Sequence, residues 1–212
     1  TGIVDPAGVF MSPGVGTYWA YYEFTAGGNN CTGIDSIQVT VIPPVIANAG
    51  PDVTLCLNEG AYQLTGFNPI VNLEWTGPGV IDALNGIINP ELAGVGTWDL
   101  TIETGTGTCY SSDQMELEVL PLPIVQAGPG AVVCGNAAIF DLTGFVPATG
   151  GTWEGTGIID AANGTFDPSI GPNTYNLFYW YTDPTTQCSD TATTTVNVSP
   201  VPVANFNVPV LG

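Results

Sequence analysis

The residues of this chain that could carry out chemistry are carboxylates and cysteines. Its 212 residues include 19 acidic side chains and five cysteines, but no lysine, arginine or histidine. A chain without basic side chains cannot form the common catalytic triads, Schiff bases or phosphate clamps. Paired carboxylates, as used in glycoside hydrolysis, are the remaining route to catalysis.

The carboxylates stand at repeated positions. Asp5, Asp82 and Asp160 occupy the related stretches GIVDPAG, GVIDALNG and GIIDAANG. An acid that recurs in every copy of a repeat is typical of a structural turn and not of a single active site. We therefore predict that the protein is not an enzyme.

Carboxylates can also bind calcium, which prefers clustered oxygen ligands. The acids of this chain are dispersed along the sequence, and no DxDxDG loop is present. We predict no cofactor. The alternative is a structural calcium ion at a junction between modules, where Asp52 lies near a linker.

Further landmarks indicate repeats of about 78 residues. A glycine-rich corner followed by an aromatic residue occurs as GVGTY from Gly14, GVGTW from Gly94 and GPNTY from Gly171. Proline-rich junctions complete each repeat. The landmarks predict the back half of one module at 1–43, whole modules at 44–121 and 122–200, and the start of a further module or linker at 201–212. We expect the chain to be a segment of a longer tandem array.

The local pattern predicts an all-β fold. Short runs rich in β-branched and aromatic residues alternate with clusters of glycine, proline, asparagine and aspartate, and no window has a helical period. In the middle module we predict seven strands, at about 45–56, 61–66, 71–76, 79–82, 86–89, 96–104 and 113–120. This number of strands in so short a module indicates an immunoglobulin-like β-sandwich, and the GVGTY corner resembles the tyrosine corner of that fold.

The five cysteines favour disulfides, because an acidic chain built of repeats is typical of secreted proteins. Two regular pairings are open. Within modules, the pairs are Cys56–Cys109 and Cys134–Cys188, with Cys31 paired outside the segment. Across junctions, they are Cys31–Cys56 and Cys109–Cys134. We favour pairing within modules, because the second scheme must fold back over a linker stiffened by proline. The favoured scheme requires both cysteines of a pair to lie at the same end of the sandwich.

Several stretches resemble a known family. They are ANAGPDVTLC from Ala47, WTGPGVID from Trp75 and TTTVNVSPVPVANF from Thr193. They are similar to the PKD-like and immunoglobulin-like tandem repeats of giant Bacteroidota cell-surface adhesins exported by type IX secretion, including SprB-type gliding adhesins. The resemblance covers the whole chain, although the WDFGDG loop of better-known PKD domains is absent.

The resemblance implies an extracellular stalk or adhesive filament at the cell surface, used for attachment or gliding motility. Its implied partners are neighbouring modules, other filament subunits and surface glycans. The alternative is a carbohydrate-binding module of a secreted protein. The same group of bacteria attaches O-linked glycans at an aspartate, a serine or threonine and an apolar residue, which makes Ser36 and Thr191 glycosylation candidates. The middle module has DQM at the corresponding place and would be bare.

Charge and hydropathy exclude other partners. A formal net charge of −19 argues against nucleic acid and anionic lipid, since both require cationic side chains. No run of 18 apolar residues is present, so we predict no membrane insertion in this segment.

Strand alternation predicts aromatic side chains on the solvent face. Trp98, Leu100 and Ile102 share one face of their strand, which we assign to the core. The same register predicts two sets of inward residues: Tyr18, Ala20, Tyr22 and Phe24 in the first module, and Tyr175, Leu177, Tyr179 and Tyr181 in the third. The outward residues are then Trp19, Tyr21, Phe178 and Trp180. We predict that they bind another chain, a module or a sugar; the alternative is that a strand or loop of the same module covers them.

Overall fold

A computed structural model describes residues 3–4, 8–28, 31–105 and 109–204. The prediction of all-β sandwich modules is confirmed. Two separate hydrophobic cores are present, one built from residues between Ala47 and Val119 and one from residues between Ala127 and Val198.

The N-terminal part contains two hairpins. Strands β1 (Ile3–Val4) and β2 (Phe10–Met11) pair with each other, as do β3 (Gly16–Thr25) and β4 (Thr32–Val41). The predicted inward face of β3 is wrong at Tyr22 and Phe24, which are 68% and 59% exposed. The physical reason is that β3 and β4 form a two-stranded sheet, and no second sheet in the described residues covers it.

The middle module contains seven strands and one helical turn. They are β5 (Val53–Cys56), β6 (Tyr62–Gln63), β7 (Leu73–Thr76), β8 (Val80–Asp82), β9 (Ile87–Ile88), α1 (Pro90–Ala93), β10 (Gly96–Thr104) and β11 (Ser111–Leu120). One sheet has the order β5-β11-β10-β7 and the other β6-β9-β8. The first strand joins its sheet in parallel with β11, whereas β10 is antiparallel to β11 and to β7.

The third module repeats this arrangement. Its strands are β12 (Ala131–Cys134), β13 (Phe140–Asp141), β14 (Thr152–Glu154), β15 (Ile158–Asp160), β16 (Thr165–Phe166), β17 (Asn173–Thr182) and β18 (Ser189–Ser199), with a 3-10 turn at Pro168–Ile170. The sheet orders are β12-β18-β17-β14 and β13-β16-β15.

The first predicted strand, at about 45–56, is shorter than expected. Only Val53–Cys56 belongs to the sheet, and before it Asn48 forms an isolated bridge with Asn68. The backbone N–H groups of Ala47 and Ala49 donate to the side chains of Ser111 and Asp113 instead of to a neighbouring strand. Side-chain acceptors thus replace the ladder in this segment, while both alanines are buried in the core.

A buried tryptophan forms the centre of each core. Trp75 and Trp153 are almost fully buried, and the ring of a phenylalanine, Phe67 or Phe145, meets each one edge-on at 5.5 Å between centroids. Such edge-to-face pairs add to the free energy gained by burying the rings. Beside the tryptophans, on the same sheets, lie the inward residues of the long hairpins. Among them Leu100, Ile102, Leu177 and Tyr179 are fully buried, as their alternation predicts.

The predicted aromatic corner is present in all three repeats. The Tyr18 hydroxyl donates to the Gly14 carbonyl at 3.1 Å, the Trp98 indole N–H to Gly94 at 3.0 Å, and the Tyr175 hydroxyl to Gly171 at 3.0 Å. In each case the side chain reaches back four residues and fixes the turn that leads into the long strand. Tryptophan therefore replaces tyrosine without loss of the hydrogen bond.

Candidate functional site

The recurring aspartates are structural, as their repetition predicts. Asp82 accepts hydrogen bonds from the backbone N–H groups of Leu84 and Asn85 and from the Asn85 side-chain amide. Asp160 accepts the three equivalent bonds from Ala162 and Asn163. These hydrogen bonds hold the pKa of each exposed carboxyl below its ordinary value of 3.8. The largest effect comes from the side chain of Asn85 or Asn163, and the backbone N–H groups add to it. Asp5 lies outside the described residues.

The favoured disulfide pairing is wrong. The structure joins Cys56 to Cys188 across the two modules, with their Cα atoms 5.5 Å apart. The other two cysteines of the predicted pairs, Cys109 and Cys134, are exposed and form no disulfide within the described residues. The junction pairing Cys109–Cys134 does not occur either, and Cys31, the first residue of the other junction pair, is exposed at the β3–β4 turn.

Sandwich geometry explains why cysteines of one module do not meet. Cys56 lies beside Leu120, at the end where the last strand leaves the module, and Cys109 lies at the turn that begins the same strand. The ten residues of β11 separate them by about 30 Å. A disulfide requires Cα atoms about 4.4 to 6.8 Å apart, so this pair cannot form without unfolding the strand. Cys134, beside Ser199, and Cys188, before Ser189, are separated in the same way by β18.

The end of one module therefore meets the hairpin turn of the next. We call this contact the junction clasp and define it by Cys56, Asn58, Cys188 and Ser189. Beside the disulfide, the Asn58 side-chain amide donates to the Ser189 carbonyl at 3.1 Å. Cys188 is fully buried, whereas Cys31 and Cys109, at the corresponding hairpin turns, are exposed. Asn58 was not among the predicted site residues, although the pattern Cys-x-Asn occurs twice in the sequence, as CLN at 56–58 and CGN at 134–136.

The four aromatic side chains that were predicted to point outward are exposed to solvent. Trp19 and Tyr21 are 48% and 62% exposed, and Phe178 and Trp180 are 39% and 47% exposed. The alternative that another part of the same module covers them is wrong for the described part of the chain. In the middle module the matching strand carries Asp99, Thr101 and Glu103, so that face is polar.

In the third module Phe178 and Trp180 lie on the four-stranded sheet and are surrounded by polar side chains. Phe178 lies opposite Thr193, and Trp180 lies opposite Thr191. A shallow groove beside Phe178 is lined by Asn176, Thr193 and Thr195. The two exposed rings therefore lie beside hydroxyl and amide groups on this face of the sheet.

Both glycosylation candidates lie next to an aspartate and opposite an exposed aromatic ring. The backbone N–H of Ser36 donates to Asp35 at 2.8 Å, and that of Thr191 to Asp190 at 2.7 Å. Ser36 is exposed and pairs with Tyr21, while Thr191 is half-buried and pairs with Trp180. The two sites are not at the same strand position. Val39 and Val196 are equivalent, since each pairs with the corner tyrosine of its module. Ser36 lies three residues before Val39, whereas Thr191 lies five residues before Val196. Glycosylation stays a prediction.

Asp52 was the residue named for a possible calcium ion at the junction between modules. Asp52 accepts a hydrogen bond from the backbone N–H of Glu116 at 2.8 Å. Among residues 3–4, 8–28, 31–105 and 109–204, no group of three or more histidine, cysteine or acidic side chains is placed to hold a metal ion. Asp52 thus has a structural partner within its own module.

Comparison with other proteins finds similarity in architecture alone. No family model and no curated protein matches the chain. A SusE-like surface-located polysaccharide-binding protein of Bacteroides thetaiotaomicron is 9% identical at a TM-score of 0.45, over 77% of this chain and 36% of its own. Drosophila N-cadherin EC1-3 is 13% identical at 0.30, over 90% and 79%, and the first four Ig domains of Dscam1 are 15% identical at 0.28, over 93% and 60%. No helix among the described residues is long and apolar enough to cross a membrane.

Proposed function

We propose that this chain is a structural repeat segment of a long extracellular filament or cell-surface adhesin. The observation that carries the proposal is the junction clasp, in which a disulfide joins two successive sandwich modules. Disulfides persist in oxidising compartments outside the cytosol, and a covalent bond between modules suits a chain that must transmit force. The resemblance to type IX-secreted gliding adhesins supports a role in attachment or gliding.

The remaining features fit a structural role and not an enzymatic one. The recurring Asp82 and Asp160 are engaged in turns of their own modules. A negative surface without basic side chains keeps a long polymer soluble and repels other anions. In this proposal the partners of the chain are neighbouring modules and other filament subunits.

The experiment is to locate the protein on cells that produce it. Antibodies raised against the 212-residue chain should label intact cells, and immunogold electron microscopy should place the label at intervals along surface fibres. Extraction with a reducing agent should not be needed for labelling. Label confined to the cytoplasm of permeabilised cells would contradict the proposal.

A second candidate function is carbohydrate binding, which the exposed aromatic pair of the third module favours. Exposed apolar groups in a polar rim mark binding sites more often than isolated ones do. Phe178 and Trp180 would stack on a sugar, with the hydroxyls of Thr191 and Thr193 as hydrogen-bonding partners.

A glycan array tests this candidate. The chain should bind one glycan class in a saturable manner, and the double variant Phe178→Ser, Trp180→Ser should lose at least tenfold in affinity. Val132→Ser is the matched control, because Val132 is an exposed apolar residue on an edge strand of the same sheet. Absence of binding to any glycan, or equal binding by the double variant, would leave the stalk as the sole role.

A further inference from the structure

The junction clasp uses two kinds of cysteine position, and both recur along the chain. The first kind ends the first strand of a module. Cys56 pairs in register with Leu120, the last residue of β11, and Cys134 pairs with Ser199, the last residue of β18. The following N–H groups, of Leu57 and Gly135, donate to the same two carbonyls at 3.1 and 3.0 Å. Cys134 therefore occupies in the third module the place that Cys56 occupies in the second.

The second kind of position lies in the turn of the long hairpin. Cys188 directly precedes Ser189, which pairs with Thr182 at the end of the β17–β18 hairpin. Cys109 lies in the turn between β10 and β11. Cys31 lies in the turn between β3 and β4. Each long hairpin of the described residues thus carries one cysteine in its turn, and in the clasp it is this turn that meets the preceding module.

The asparagine of the clasp recurs as well. Asn58 stands two residues after Cys56, and Asn136 stands two residues after Cys134. The Asn58 amide donates to a backbone carbonyl of the next module, that of Ser189, so the identity of the accepting residue does not matter. The exit end of the third module consequently presents the same disulfide half and the same hydrogen-bond donor as the exit end of the second.

The accessibility of the other cysteines completes the pattern. Cys188 is fully buried in the clasp, whereas Cys109, at the same turn of the preceding module, is exposed. Cys56 is half-buried, whereas Cys134 is exposed. We call each cysteine position of the clasp a clasp half. The two clasp halves that are bonded to each other are buried or half-buried, and their equivalents Cys109 and Cys134, which form no disulfide within the described residues, are exposed to solvent.

We propose that the clasp repeats along the array, so that the first-strand cysteine of each module is bonded to the hairpin cysteine of the module that follows. Cys134 then bonds to the hairpin cysteine of a following module, and Cys109 to the first-strand cysteine of a preceding one. This inference rests on the proposed tandem filament and names the partner of each open clasp half: another module of the same repeat. Each bond forms by oxidation of two thiols, whose two electrons and two protons pass to a small or protein disulfide that is reduced to two thiols.

The consequence is a chain whose disulfide loops overlap. The Cys56–Cys188 loop spans 132 residues, and the corresponding loops from adjacent modules begin and end inside it. Under tension, an unfolded array could extend only through the stretches that run from a hairpin cysteine to the next first-strand cysteine. These stretches are 25 residues long, from Cys31 to Cys56 and from Cys109 to Cys134. The covalent network would therefore limit extension even after the sandwiches unfold.

The test adds one module. A second copy of residues 122–200 is fused after residue 200 of the chain, which restores the native junction spacing, and the protein is refolded with reduced and oxidised glutathione. Peptide mapping with a protease that cleaves at acidic or aromatic residues should then find Cys56–Cys188 and a new bond from Cys134 to the cysteine at position 188 of the added copy. Alkylation of Cys134 should fall at least tenfold relative to the 212-residue chain.

The matched control carries Cys188→Ser in the added copy only, which should return Cys134 to full alkylation. Recovery of Cys109–Cys134, or full alkylation of Cys134 in the oxidised three-module protein with native tryptophan fluorescence, would overturn the proposal. If the longer chain does not fold, a copy of residues 44–121 placed before residue 44 tests the other side, where the cysteine at position 56 of the added copy should bond to Cys109. Neither result depends on where the protein lies in the cell, so the filament proposal and this one can fail separately.

Discussion

At the scale of single residues, the turn aspartates show how one side chain in each of the two complete modules shapes its backbone. Asp160 receives two backbone N–H groups and the Asn163 amide, and Asp82 receives the same set from its own module. All three bonds favour the ionised carboxylate, which is why its pKa is lowered. The turn is therefore held partly by charge, although the carboxylate is exposed to solvent.

This arrangement predicts a pH dependence for Asp160→Asn. The pKa of Asp160 is lower in the folded chain than its ordinary value of 3.8. The ionised carboxylate therefore stabilises the fold when the pH is above 3.8, and this contribution is lost as the pH falls through the pKa of the folded state. The wild type should exceed the variant in free energy of unfolding at about pH 6, and the difference should shrink at about pH 2.5. Denaturant titration at both values measures it. Using the difference removes the general effect of protonating the other acids, and a difference independent of pH would contradict the assignment.

At the scale of the elements, the corner hydrogen bond ties the start of the long strand to the turn before it. The Tyr175 hydroxyl donates to the Gly171 carbonyl, which closes the 3-10 turn at Pro168–Ile170 against β17. Tyr18 and Trp98 make the same contact in the other repeats. The bond is local in sequence, because in each case the side chain reaches back four residues.

We expect Tyr175→Phe to lower the free energy of unfolding by about 1 kcal/mol, the typical loss for one intramolecular hydrogen bond. The aromatic ring still packs near Phe166 in this variant, so only the hydroxyl contact is removed. Tyr181→Phe on the same strand is the control, since its hydroxyl makes no hydrogen bond in the described part of the chain. Equal losses in the two variants would show that the corner bond does not contribute.

At the scale of the whole molecule, the Cys56–Cys188 disulfide bypasses most of both modules when the ends are pulled. The stretch from Cys56 to Cys188, a sequence separation of 132, cannot extend while the bond is intact. At 3.3 to 3.6 Å per residue it represents roughly 460 Å of contour. Single-molecule force spectroscopy should therefore show this additional extension in reducing buffer and not in oxidising buffer.

The variant Cys56→Ser provides the control for that measurement, because it should extend fully under both conditions. On the chain-entropy argument, a loop of 132 residues also stabilises the folded chain by about 5 kcal/mol. Equal extension of the parent chain with and without reductant would show that the two modules are not joined in solution.

Features that depend on neighbours along the chain could be predicted from the sequence. The period of the repeat, the seven strands of a module and the turn role of Asp82 are all local, because a strand or turn is specified by the side chains within a few residues. The outward position of Phe178 and Trp180 followed from alternation alone, since successive strand residues point to opposite faces. The same rule failed at Tyr22, because no second sheet among the residues that the structure describes covers that face of the β3–β4 hairpin.

The partner of each cysteine was decided only by the tertiary structure. The proline-rich junctions led us to favour Cys56–Cys109, but the ten residues of β11 hold those two cysteines at opposite ends of one sandwich. The position of Cys56 depends on the parallel pairing of β5 with β11, which puts it at the end where the chain leaves the middle module. Its partner depends on which part of the third module faces that end. These are relations between distant segments that no local pattern encodes. Local preferences thus determine the module, and the approach of one module to the next determines the bond that joins them.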